Sequence, residues 1–198
     1  MIEFEKKIFE NFHSSQKNYE NQFKSYHWDY QINKKENLYK IENLKDFRKN
    51  DLSKGLDDQF YTKEETILFF NDLINEYGED YIFDLLDKEN IGNCTEVFTY
   101  KNKIYSANEL FHIKFLSMIK NFIDFDNKSI ICEIGPGYGS FASKLIKKYN
   151  SKIVLIDLPE SNFLSAYYLK NIFSEKNFFI SSDVKNNKIE HQNILSND

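Results

Sequence analysis

Apolar residues recur along this chain with two different spacings, and the change from one to the other marks its most informative stretch. Ile130, Ile131, Cys132 and Ile134 form a short apolar run. It breaks into Gly135, Pro136, Gly137, Tyr138 and Gly139. Phe141, Ala142, Leu145, Ile146 and Tyr149 then share one face at spacings of three and four. The pattern predicts a strand, a glycine turn and a helix. A second apolar run, Ile153 to Ile156, predicts another strand that ends at Asp157. Pro159 suits a first helical turn, and Phe163, Leu164, Tyr167, Tyr168, Ile172 and Phe173 line the helix after it. Residues 178–182 read as a third strand, followed by Asp183, and the polar remainder reads as loop.

Upstream the spacing is helical. Phe4, Ile8, Phe9 and Phe12 suggest one helix, and Leu38, Ile41, Leu44 and Phe47 suggest a second amphipathic one. Tyr26, Trp28 and Tyr30, with His27, read as a docking point for this region on the core, or as a binding patch. Residues 51–58 are a turn-rich connector. Thr62 and Glu65 fit a capping box ahead of a helix carrying Ile67, Phe70, Leu73, Ile74 and Tyr77, with Gly78 as its stop. A short helix over 79–89 follows, then a hairpin near 97–105 with a polar tip. Ser106 and Glu109 suggest a second capping box, opening a helix that runs to about Ile123. That helix leads into the glycine strand, so Tyr105, Asn108 and His112 are candidates to line a pocket there. Two segments result: 1–105, mostly helical with the hairpin, and 106–198, built on the glycine unit.

The chemistry concentrates at the strand ends. Glycine permits backbone conformations that other residues avoid and lets a ligand approach the main chain. N–H groups at the start of the following helix favour anionic or polar ligand groups. Glu133 stands inside an apolar strand, where a carboxylate is costly unless something pairs with it. Asp157 follows it by twenty-four residues, at a strand end where an acid can accept hydrogen bonds from ribose hydroxyls. A lone GxGxG can equally be turn chemistry, and both acids can be caps; the joint spacing favours a ligand site. Lys144, Lys147 and Lys148 read as the solvated side of the helix.

Composition removes several classes. Net charge is −5 over 198 residues, with no basic block, which argues against nucleic acid as the main partner. No run approaches bilayer-spanning length and the N-terminus lacks an apolar signal core, so the expectation is a cytoplasmic protein without membrane partners. Two cysteines, Cys94 and Cys132, give neither a disulfide framework nor a metal spacing. Cys132 reads as a buried small hydrophobe, and the scattered histidines suggest no metal cluster.

The run Glu133-Ile-Gly-Pro-Gly-Tyr-Gly139 resembles the first motif of class I S-adenosylmethionine-dependent methyltransferases, and Asp157-Leu-Pro-Glu160 resembles their second-strand motif. Taken with the later Ala166-Tyr-Tyr168, the combination looks like the bacterial sugar O-methyltransferases. Phe47-Arg48-Lys49-Asn50 and Gly55-Leu-Asp-Asp58 are also similar to that family. The resemblance covers roughly residues 30–183. It implies an α/β fold: an N-terminal helical region followed by the first half, three strands, of a Rossmann-like sheet. It implies S-adenosylmethionine as cofactor and a sugar or glycan hydroxyl as methyl acceptor. Gly135, Gly137 and Gly139 would border the methionine and ribose parts, and Glu133 would support that loop and the amino-acid end. Asp157 would hold the ribose hydroxyls, Leu158 would flank the adenine, and Asp183, with Ser182 beside it, would lie near the adenine amino group.

A nicotinamide dinucleotide is the competing cofactor, for a small reductase. Its fingerprint is GxGxxG/A; here the sixth position is Ser140, and an acid such as Glu133 does not usually stand before the glycines. A Walker loop is excluded because no Gly-Lys-Ser/Thr occurs. In a doubly wound sheet the ligand crevice lies where strand order reverses, beside the first strand. No strand to cover that side follows in this chain. The expectation is therefore the front part of a methyltransferase, cut after the third strand, with the first strand left as an apolar edge. Such an edge invites a partner chain or self-association, so a non-catalytic remnant or subunit is the second reading. No catalytic base can be named; Glu109 and His112 are the candidates in range.

Overall fold

The computed structural model describes residues 2–18, 25–34, 39–49, 62–180 and 183. The order is α1 (Ile2–Asn18), α2 (Tyr26–Lys34), a 3₁₀ helix (Ile41–Asp46), α3 (Lys63–Tyr77), α4 (Glu79–Leu85), β1 (Val97–Tyr100), β2 (Lys103–Ser106), α5 (Asn108–Ile119), β3 (Ile130–Ile134), α6 (Ser140–Tyr149), β4 (Lys152–Ile156) and α7 (Pro159–Ile172). The protein is α/β, with a helical N-terminal region and two small sheets. β1 and β2 form the expected antiparallel hairpin, turning at Lys101 and Asn102 with positive φ. β3 and β4 pair in parallel, Ile130 opposite Lys152 and Ile134 opposite Ile156. α6 is their crossover.

Local signals account for most element ends. The Thr62 side chain accepts from the Glu65 N–H while the Glu65 carboxylate accepts from the Thr62 N–H, so the first capping box is complete. Gly78 ends α3 at φ 89°. The repeat Ile41, Leu44, Phe47 forms a 3₁₀ helix rather than an α-helix. A strict spacing of three matches the 3.0 residues per turn of that helix, whose side chains eclipse at i and i+3. Leu38 lies outside the described residues, as does the connector 51–58. The second capping box does not form. α5 starts after Ala107 with no side-chain cap; the Ser106 hydroxyl accepts from Arg48, and Glu109 is drawn into the interior.

Two apolar cores share α6. One gathers Ile8 and Phe12 of α1, Leu44 and Phe47, Tyr138, Ala142 of α6, and Phe163, Leu164, Tyr167 and Tyr168 of α7. Phe12 stacks on Phe163 with centroids 4.9 Å apart. The other gathers Phe70, Leu73, Ile82, Leu85, Phe98, Leu110, Ile113, Leu116 and Leu145 of α6. Each core draws on residues before and after residue 105.

Between them lies a buried charge cluster. Lys144 is 0% exposed, yet it is a lysine predicted for the solvated face. Its Nζ donates to Asp87 at 3.0 Å and to Glu109. Glu109 also accepts from the Asp87 N–H at 2.8 Å. The Tyr168 hydroxyl donates to Asp87. Lys147 donates to Asp87 and to the carbonyls of Leu85 and Leu86. Burial pushes the Asp87 carboxyl up, but Lys144 and Lys147 outweigh it and hold it at about 2. Only Lys148 of the three lysines is exposed; its Nζ lies 4.6 Å from the Tyr81 ring centroid. Helical spacing alone cannot tell a solvated lysine from one that meets carboxylates from two other elements.

Three further expectations are corrected. Phe178 to Ile180 form no strand. The Ile180 N–H donates to Asp183, not to β4, and Phe178 packs edge-on against Phe4 of α1. Cys132 is exposed, because it shares with Ile130 and Ile134 the outer face of the β3–β4 sheet. Ile134 is 81% exposed there. Tyr26, Trp28 and Tyr30 are exposed at 88%, 52% and 54%, so they are not buried against a core.

Removing one member of a buried ion pair leaves an uncompensated charge, at a cost of about 3–5 kcal/mol. Lys144→Met is expected to lower stability by about that amount in urea denaturation. Lys101→Met, which removes the exposed pair with Glu79, is expected to leave the melting temperature unchanged.

Candidate functional site

The glycine loop joins β3 to α6 and carries the sequence-predicted site. Its three glycines all adopt positive φ: 75° at Gly135, 58° at Gly137 and 89° at Gly139. They serve two purposes. A Cβ on Gly139 would lie 3.2 Å from Leu169 Cδ1 and 3.3 Å from Ser165 Cβ, so this glycine allows α7 to pack closely. Gly135 and Gly137 have nothing within 4 Å of a Cβ position, so their outer sides are open. The loop is tied down by Gly135 N–H to the Ile156 carbonyl at 2.9 Å and Gly139 N–H to the Pro136 carbonyl at 2.9 Å.

Two carboxylates flank it. Asp157, at the end of β4, accepts from the Gly137 N–H at 3.2 Å and from the Leu158 N–H at 2.7 Å. The end of β4 is thereby stitched to the middle of the glycine loop. Glu133, near the end of β3, is half-buried, and its Oε2 is enclosed with no hydrogen-bond partner among the described residues. Burial, and then the charge on Asp157, push its carboxyl up to about 7. Leu158 is half-buried at the start of α7.

The structure thus brings Glu133, Gly135, Gly137, Gly139, Asp157 and Leu158 together. Asp183 is engaged elsewhere: it is buried and accepts from Lys7 of α1 at 2.8 Å. Ser182 lies outside the described residues. α5 does pack beside the loop. Asn108 donates to the Tyr138 hydroxyl at 3.1 Å, and His112 Nδ1 lies 3.0 Å from Ser140 Oγ. Tyr105 is buried in the second core instead. Glu109, a candidate base on sequence grounds, is consumed by Lys144 and the Asp87 N–H. A cavity of about 540 Å³ opens beside Asp157, between α1, α7, β4 and residues 177–180. The glycines do not line it.

This arrangement is polar and acidic. The Gly137 N–H, which a phosphate would need, is already taken by Asp157. A second carboxylate with an unsatisfied oxygen stands next to it. The donors and acceptors present fit a ligand that brings a cationic group to Glu133 and hydroxyls to Asp157. They fit a pyrophosphate poorly, because two acids would face it. A comparison with family models, curated proteins and solved structures finds no match to this chain. No helix among the described residues is long and apolar enough to cross a membrane.

Glu133 imposes a pH dependence of known sign. Its carboxyl titrates from an ordinary value of 4.5 when unfolded and at about 7 when folded, so the folded state holds the proton more tightly. The resulting stabilisation is complete below the unfolded value and is lost as pH rises through about 7. Thermal melts between pH 5 and pH 8 (roughly the window in which such a group titrates) are expected to show a falling stability that Glu133→Gln flattens. An identical slope in the variant would contradict the burial of this carboxyl.

Proposed function

We propose that this chain carries the cofactor site of an S-adenosylmethionine-dependent O-methyltransferase of the sugar-modifying type. The observation that carries the reading is the pairing of an internally capped glycine loop with the unsatisfied Glu133 oxygen. S-adenosylmethionine bears a sulfonium and an ammonium group and a ribose with two free hydroxyls. Glu133 is the residue for the ammonium end and Asp157 for the ribose hydroxyls. The open sides of Gly135 and Gly137 give the cofactor room against the main chain, and Leu158 offers an apolar edge for the adenine. The cofactor supplies an electrophilic methyl group; the acceptor oxygen must be held in line with it and lose its proton. The sugar or glycan acceptor rests on the motif resemblance. The acidic site disfavours the dinucleotide alternative.

The test uses S-adenosylhomocysteine, whose binding requires no turnover. Calorimetry is expected to show binding that Asp157→Asn weakens about tenfold, the order expected for hydrogen bonds to a charged group. Binding should be tighter at pH 8, where Glu133 is ionised and can pair with the ammonium, than at pH 6 (roughly either side of its folded titration). NADH is expected not to bind. Binding of NADH without S-adenosylhomocysteine would overturn the assignment.

A second reading is favoured by the open face of the sheet. Ile130, Cys132 and Ile134 of β3 and Val154 and Ile156 of β4 all lie on it, and Ile134 and Ile156 are 81% and 51% exposed. On α5 and just beyond it, Phe115, Met118 and Phe122 are exposed as well. An apolar face with a strand edge that is unpaired among the described residues suits completion by another polypeptide. If the chain completes its sheet with a second copy of itself, sedimentation shows concentration-dependent association that Ile134→Glu abolishes. A stable, well-folded monomer at high protein concentration would remove self-association.

A further inference from the structure

Arg48 is a buried cation that belongs to neither the glycine motif nor the charge cluster. It is 1% exposed and follows the short 3₁₀ helix. Its N–H donates to the Gly92 carbonyl at 2.8 Å. One guanidinium nitrogen donates to the Ile91 carbonyl at 3.3 Å and the other to the Ser106 hydroxyl. The turn at Gly92 is closed tightly over this region: a Cβ there would lie 2.5 Å from a Phe47 ring carbon and 3.0 Å from Arg48 Cγ. The guanidinium also lies over two aromatic rings, 6.0 Å from the centre of Tyr168 and closer to Tyr138. Its Cζ lies 4.6 Å from the centre of the Tyr138 ring.

Tyr138 is the side chain between Gly137 and Gly139, both of which have positive φ. A turn flanked by two glycines has a large conformational entropy unless something holds it. Tyr138 is what holds it. The ring is buried, edge-on to Phe47 at 5.8 Å and to Tyr168 at 4.9 Å, and its hydroxyl accepts from Asn108. Arg48 is the charged member of this cage. A desolvated guanidinium over an aromatic face is attracted by the ring quadrupole more strongly than an exposed one. Lysine offers no planar face and no forked donors, so it does not reproduce the contact.

We propose that Arg48 is a positioning residue for the glycine loop, so that the N-terminal region is a working part of the ligand site. It acts through Tyr138, fixing where the Gly137 N–H meets Asp157. The loop claim stands on geometry alone; its consequence for the cofactor rests on the function proposed above.

Hydrogen exchange on the full chain tests both parts. In Arg48→Lys the amides of Gly135, Gly137 and Gly139 are expected to exchange about tenfold faster, in line with the loss of a desolvated cation–π contact. The interior amides of β3 and β4 should be unchanged. Ser106→Ala, which removes one acceptor of the guanidinium and little volume, should produce a smaller change at the same amides and serves if Arg48→Lys does not fold. Uniform acceleration along the chain, or an unchanged loop, overturns the proposal, because a role confined to core filling predicts one or the other. S-adenosylhomocysteine affinity should fall with loop protection. Selective loop loosening with undiminished affinity overturns the link to the ligand site. If the wild type binds no S-adenosylhomocysteine while the loop loosens selectively, the cofactor assignment fails and the positioning role stands.

Discussion

The structure depends on a cation placed where water cannot reach it. Lys144 sits in the middle of α6, the crossover between β3 and β4, and is fully enclosed. Asp87 comes to it from the turn after α4, Glu109 from the first turn of α5, and Tyr168 joins Asp87 from α7. A charge in an apolar interior is tolerable only when paired and hydrogen-bonded. Four segments must therefore be in register at once. A misplaced turn in any of them would leave an ion without its partner, which penalises alternative packings more than it favours this one. Because α6 contributes Ala142 to one core and Leu145 to the other, the cluster also holds the two cores in one relation. The glycine loop opens directly into this helix, so its position follows from the same constraint.

The electrostatics of the loop separate it from an anion site built on the same secondary structure. A glycine turn before a helix offers N–H groups that phosphates use. Here Asp157 takes the central N–H, and Glu133 adds a second acid whose proton is held by burial. The same strand–turn–helix layout can therefore present opposite electrostatic character, depending on what the two strand ends contribute. Tyr138 and the cage around it, with Arg48 as its charged member, lie behind the loop while the sides of Gly135 and Gly137 remain open.

Much of this was legible in the chain because it is local. The parallel pair with its crossover helix follows from two apolar runs and an amphipathic segment between them, and the capping box at Thr62 and the stop at Gly78 are read from adjacent residues. The glycine loop and its two acids lie within twenty-five residues, and the motif alone predicted that they meet. Even the spacing of Ile41, Leu44 and Phe47 carried its answer, since a period of three belongs to a 3₁₀ helix.

What only the tertiary structure decided is which of these side chains are enclosed, and by what. Lys144 reads as a surface lysine by helical position. It is buried because Asp87, fifty-seven residues away, and Glu109, thirty-five away, reach it. Cys132 reads as a buried small hydrophobe and is exposed, because alternation sets the face of a strand but not whether another layer covers it. Residues 178–180 have strand-like composition, yet α1 and Asp183 claim them before β4 can. Arg48 was visible only as part of a motif, and its contact with Tyr138 spans ninety residues of chain. Periodicity is a short-range property of sequence. Burial and pairing are long-range outcomes of packing, and the chain alone does not state them.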